Sequence, residues 1–177
     1  MRSSVFIWLI LLLNVAGAAS AETAHWQVQR FTQSFDQKGN AAGDFVYSGV
    51  KVWSVSPDSP EIRFGCSEKF GLPATLTFLP LSQVDPAKNE RIKLRQKTTS
   101  LTIEGRAPER VPWTWVKDTR TVQTRSGKHA AMIYNAVVKQ LPFKVKEPNK
   151  KIVTITPAPV DESFVFFVKN CKVTSGA

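Results

Sequence analysis

The sequence predicts a mainly β (α+β) protein: an antiparallel β-sandwich or barrel of about eight to ten short strands, with two short helices in the C-terminal third. Three observations predict it. Short runs rich in apolar and β-branched residues recur from Trp26 to Thr124, each bounded by Gly, Pro, Asn, Asp or Ser. After Ser126 the apolar spacing changes to the three-and-four rhythm of a helix. An alternating pair of runs and a second three-and-four run then follow.

Residues 26–31 begin the first strand, and DQKGNAAGD at 36–44 has the composition of a turn. Residues 45–55 give the strongest strand signal. Phe45, Tyr47 and Trp53 fall on one parity and Val46, Val50 and Val52 on the other, the pattern of a strand buried on two sides. Gly49 in its middle predicts a bulge or a bend. SPDSP at 56–60 is a turn, and 61–64 leads as a strand to Cys66. Residues 75–79 form a fourth run, ended by Pro80 and followed by a polar loop to Asn89. Short alternating runs at 91–97 and 100–104 precede strands at 111–116 and 119–124.

Ala130, Ile133, Tyr134, Val137, Val138 and Leu141 share one helical face, with Ser126 placed to cap the helix and Pro142 to stop it. Residues 143–146 and 152–155 alternate as a hairpin around EPNKK. Phe164, Phe167, Val168 and Cys171 again follow helical spacing, with Asp161 or Ser163 as the cap. Phe164, Phe166 and Val168 also alternate as in a strand, and the helix is the favoured reading of the two.

The chain opens MRSSVFIWLILLLNVAGAASA: a cation at Arg2, an apolar run at 5–13, and Ala-x-Ala sites at 16–18 and 19–21. This is the layout of a secretory signal peptide over residues 1–21. The run is well below the roughly 20 apolar residues that span a bilayer. Residues 22–177 are then expected to form a single globular β-rich domain, periplasmic or secreted and not membrane-spanning after cleavage. In such an oxidising compartment the two cysteines, Cys66 and Cys171, are expected to form one disulfide. The competing readings are a free thiol and a catalytic cysteine using His25 or His129 as its base.

Without residues 1–21 the chain carries 23 basic and 14 acidic residues. A positive field of that size favours anionic partners. In an exported protein these are an anionic envelope polymer, a lipid headgroup or an acidic protein, and nucleic acid is not expected. Residues 90–97, ERIKLRQK, concentrate the charge. In a strand Arg91, Lys93, Arg95 and Lys97 project from one face and Ile92 and Leu94 from the other, a row of roughly 20 Å. It is either a ridge for an anionic ligand, extended by Lys144, Lys146, Lys150 and Lys151 if that hairpin packs nearby, or a solvated outer face or protected edge strand. Trp113 and Trp115 share a strand face, either as an aromatic platform for a sugar or peptide or as core.

Catalytic signatures are weak. Ser48-Gly49-Val50-Lys51 matches S-x-x-K, but in a strand Ser48 and Lys51 point to opposite sides, and S-D-N and K-T-G partners are absent. G-x-S-x-G, zinc-ligand spacing and a phosphate-loop glycine pattern are absent too. No catalytic, cofactor-binding or metal-ligating residue and no cofactor is predicted. The expected function is a non-catalytic binding or interaction factor; the alternative is a cell-envelope hydrolase or an inhibitor of an envelope enzyme.

The exported layout, Cys66 at a strand end, the basic hairpin FKVKEPNKKIVTI and the terminal FVFFVKNC together resemble small periplasmic proteins of the invasion-associated locus B type. The layout is also similar to exported accessory proteins of type VI secretion clusters. The resemblance covers residues 22–177, rests on layout, and implies an envelope or host-interaction factor with Cys66 and Cys171 as a structural disulfide. The chain departs from the first family in lacking further cysteines and in Phe64-Gly65 before Cys66.

Overall fold

The computed structural model describes residues 23–35, 45–56, 59–67, 71–78, 94–117 and 119–171. The expected signal peptide, the turn at 36–44, the polar loop to Asn89 and Arg91, Ile92 and Lys93 lie outside the described residues, as do the side chains of Phe45, Val46 and Tyr47.

Alternation organises the chain first. Nine strands form: β1 (His25–Phe35), β2 (Phe45–Val55), β3 (Glu61–Ser67), β4 (Ala74–Thr77), β5 (Leu94–Ile103), β6 (Glu109–Val116), β7 (Thr121–Thr124), β8 (Phe143–Lys146) and β9 (Ile152–Ile155). Helices α1 (Gly127–Val138) and α2 (Glu162–Asn170) complete the described elements. All strands pair antiparallel in one sheet of order β1-β2-β3-β4-β7-β6-β5-β8-β9. The predicted class is the observed one, and it takes the form of a single sheet curled into a half-barrel.

Directly opposed residues of an antiparallel pair share a face, so the register traces one apolar layer across the sheet. Val28, Val52 and Phe64 are in line through β1, β2 and β3. Ile62, Leu76, Val122 and Trp115 continue it through β3, β4, β7 and β6. Leu101, Val145 and Val153 carry it through β5, β8 and β9. These residues are buried or half-buried. The opposite face is more polar, carrying Lys51, Arg63, Thr75, Gln123, Lys144 and Lys146 among others.

Both helices cover the inner face. On α1, Ala130, Ile133, Ala136 and Val137 are buried, as the spacing predicts, while Val138 turns to solvent. Ser126 is the N-cap residue, but its hydroxyl makes no capping bond; its carbonyl accepts from Ala130 N–H at 2.9 Å. The helix ends with Gln140 in the left-handed region (φ 55°), and Leu141 N–H donates to the Ala136 carbonyl at 2.9 Å, a Schellman closure. On α2, Phe164 and Phe167 are buried and Val168 is exposed. Asp161, rather than Ser163, caps it: Oδ1 accepts from Phe164 N–H at 3.0 Å and Oδ2 from Trp26 N–H at 2.8 Å. One carboxylate therefore holds both the start of α2 and the start of β1.

Two expectations are corrected. Of the bulge or bend expected at Gly49, the bulge is excluded: Phe31↔Gly49↔Ser67 continues the ladder through three strands. Glycine is needed because a Cβ there would lie 2.3 Å from the Cys66 carbonyl oxygen and 2.6 Å from the Phe31 ring. The runs at 91–97 and 100–104 do not form separate strands over the described residues. β5 is continuous from Leu94 to Ile103, because the polar Thr98, Thr99 and Ser100 still pair in register with Pro112, Val111 and Arg110.

Cys66 and Cys171 form a disulfide with Cα atoms 5.4 Å apart, linking inner-face β3 to the end of α2 across 105 positions. A cross-link of that span removes about 4–5 kcal/mol of denatured-chain entropy in the simplest account. A Cys66→Ser/Cys171→Ser chain is expected to keep its far-UV circular dichroism and lose about 2–5 kcal/mol in denaturant unfolding. Aromatic packing and the Asp161 bonds hold α2 without the sulfur link.

Candidate functional site

Among the described residues, the first half of β5 is the most exposed stretch of the sheet. Arg95, Gln96, Lys97 and Thr98 are exposed, and Leu94 is 64 % exposed. Alternation holds: Arg95 and Lys97 share a face, opposite Leu94. The register then decides which face that is. Arg95 opposes Trp115 and Lys97 opposes Trp113, and Thr99, Leu101 and Ile103 follow on the same parity. The cations therefore lie on the inner side of the sheet, where its apolar row runs out beyond helix cover, and Leu94 lies on the outer side.

Trp113 is fully buried and Trp115 is 6 % exposed. The pair presents no platform to a ligand; both indoles belong to the core.

β8 flanks β5 only at Leu101–Ile103 and then leaves it. Between the two strands opens a cleft of about 340 Å³, lined by Thr98, Thr99, Ser100, Arg110, Lys146, Glu147, Pro148 and Lys150. Three of those side chains are cations. Thr99 Oγ1 is buried there with no hydrogen-bond partner. Glu147 is 1 % exposed, and its charge is compensated from the turn before β7. Arg120 Nε donates to Glu147 Oε2 at 3.0 Å and Arg120 Nη2 to Oε1, while Asn149 Nδ2 donates to Oε2 at 3.3 Å. The hydrogen bond to Glu147 holds the Arg120 pKa above its ordinary value. This carboxylate is committed to structure, leaving Arg110, Lys146 and Lys150 to set the charge of the cleft.

Other candidates are not assembled. Ser48 bonds Thr32 Oγ1 at 3.2 Å, on the inner parity of β2, while Lys51 lies on the outer parity, 5.8 Å above the Trp53 ring. His25 Nδ1 is 3.1 Å from the Thr23 carbonyl, near the start of β1. His129 is buried in the first turn of α1, not solvent-facing, with Nε2 3.6 Å from Glu109 Oε1. Glu109 also takes a 2.6 Å bond from Lys128 Nζ. Among the described residues no group of three His, Cys, Asp or Glu could hold a metal ion, and no helix is long and apolar enough to cross a membrane.

No family model, curated protein or solved structure matches this chain. Sequence reading found the cationic half of β5 from its alternation, but missed the cleft. Its members come from three segments that only strand pairing brings together, and no local pattern marks them.

Arg120→Ala is expected to lower stability by about 3 kcal/mol, because it leaves a buried carboxylate without its partner; urea unfolding measures it. Glu109 titrates below its ordinary 4.5, first through the Lys128 hydrogen bond and then through the Lys128 charge. Its contribution is complete above the ordinary carboxylate range and is lost as pH falls through the depressed folded value. Carbon-detected NMR is expected to place the Glu109 midpoint below 4.5 and to move it upward in Lys128→Met.

Proposed function

We propose that this protein is an exported, non-catalytic binding factor that holds an anionic partner along the cationic half of β5 and the adjoining cleft. One observation carries the reading: Arg95 and Lys97 on the inner side, and Arg110, Lys146 and Lys150 around the adjoining cleft, flank the stretch Leu94–Ser100, which has a strand partner on one side only among the described residues. Five like charges so placed repel one another unless solvent, salt or an anionic partner neutralises them. A leader-like opening and a Cys66–Cys171 disulfide support export, since disulfides persist in oxidising compartments. The cleft supports binding rather than hydrolysis, because its lining carboxylate, Glu147, is tied up by Arg120. The natural ligand class is an acidic envelope polymer, an anionic lipid headgroup or an acidic protein.

Envelope fractions passed over the immobilised oxidised protein are expected to yield anionic material that elutes as salt rises through the range where exposed charges are screened. An Arg95→Glu/Lys97→Glu chain is expected to bind at least about tenfold more weakly, or ~1.4 kcal/mol, with unchanged unfolding. Retention that ignores both salt and charge reversal would remove the reading.

A further inference from the structure

Leu94–Ser100 is a regular strand paired on one side only among the described residues. β6 runs beside it in unbroken register from Leu94↔Val116 to Ser100↔Arg110. On the other side the ladder with β8 ends at Leu101↔Val145, β8 itself ends one residue later at Lys146, and the chain reverses. Glu147 N–H donates to the Lys151 carbonyl at 2.7 Å and Lys150 N–H to the Glu147 carbonyl at 2.9 Å, with Lys150 at φ 73°. Had β8 continued, its next residues would have run past Thr99 toward Lys97 and Arg95. Among the described residues no strand occupies that lane.

A paired strand points alternate N–H and C=O groups to its two sides. The set on the open side of Leu94–Ser100 is therefore available to a further strand. Sheet proteins commonly blunt such edges with prolines, bulges or inward-pointing charges. Here the edge is regular and seven residues long, and its guards are the two inward cations. These cations exclude a second copy of this chain, since edge-to-edge pairing would set Arg95 and Lys97 of each copy against the other pair.

Resting on the binding reading above, we propose that β5 takes an extended acidic segment of a partner protein as an added strand. Its backbone pairs with Leu94–Ser100. Side chains at alternate positions of that segment, roughly 6.6–7 Å apart, fall on the face of Arg95 and Lys97, so carboxylates spaced i and i+2 match the cations. One end of the segment reaches the cleft, where an acidic side chain of the segment's other parity meets Arg110 and Lys146, which lie on the outer parity, and Lys150; the buried Thr99 Oγ1 there lacks a partner. A polyphosphate or lipid headgroup satisfies the charges but not the backbone; a polypeptide satisfies both.

The test uses the full oxidised chain and three probes: a fluorescent peptide of alternating Glu and Thr, the same peptide N-methylated on either alternate set of amides, and polyphosphate. The parent peptide is expected to bind and to slow amide hydrogen exchange across Leu94–Ser100. Methylation of one alternate set weakens it about tenfold or more, while methylation of the other set is tolerated, with charge constant throughout. Equal binding of all three peptide forms, or peptide binding with no change in exchange at Leu94–Ser100, overturns strand addition and leaves the anionic reading standing. Polyphosphate binding without peptide binding has the same meaning. If neither probe binds, both readings fall.

Discussion

The structure depends on covering one curved apolar face. Phe64, fully buried on β3, is where that cover is pinned. Its ring lies 6.4 Å from Trp26 on β1, 5.7 Å from Tyr134 on α1, and 6.3 and 6.4 Å from Phe164 and Phe167 on α2. One aromatic thus joins an edge strand and both helices to the middle of the sheet. Aromatic side chains suit this role because each removes a large apolar area from water and its edge and face meet neighbours at different angles. The Asp161 bonds and the disulfide then fix the two ends of α2 around the same junction.

Cover concentrated at that junction is absent elsewhere. The α2 rings sit over β1, β2 and β3, and α1 meets β4 and Phe64. At Arg95 and Lys97 the inner side of β5 passes beyond this cover, and an apolar residue there would face water. The sequence changes with it: the parity that reads Ile103, Leu101, Thr99 ends in Lys97 and Arg95. Arg120 and Glu147 mark the other side of the boundary. Their ion pair ties the turn after β8 to the turn before β7 and fixes where β8 departs from β5. A buried ion pair is a weak source of net stability but a strong constraint on geometry once one partner is in place.

Most of this architecture was legible in the chain because it rests on local rhythm. Short apolar runs located the strands that carry Trp26, Val50, Val52, Ile62, Phe64 and Leu76, and helical spacing placed Ala130, Ile133, Val137, Phe164 and Phe167 on buried faces. The cysteine pairing was legible because two sulfurs in one chain leave one partner each. Gly49 was misread because its requirement comes from two other strands, through the Cys66 carbonyl and the Phe31 ring. Leu94 is apolar yet 64 % exposed, since its surroundings depend on how far β8 extends. Glu147 stands in EPNKK like any hairpin residue, and its burial is set by Arg120, 27 positions earlier. The alternation of Arg95 against Leu94 was correct; only pairing with Trp113 and Trp115 shows which side is inward.

An open sheet edge and a cationic row answer different parts of one recognition problem. N–H and C=O groups on an unpaired strand edge that meets water are hydrated, so exposing them costs little. Replacing that water with a partner strand gains only about 0.5–1.5 kcal/mol per hydrogen bond, and any polypeptide offers the same groups. Backbone pairing alone therefore provides register without discrimination. In the proposed complex charge provides the discrimination: Arg95 and Lys97 would repel a basic segment or another copy of this chain and draw an acidic one over the distance that salt permits. Because the cations project inward while the edge faces sideways, the two requirements do not compete for space. On that proposal, the feature that keeps the free strand from pairing with itself is also the feature that selects what it accepts.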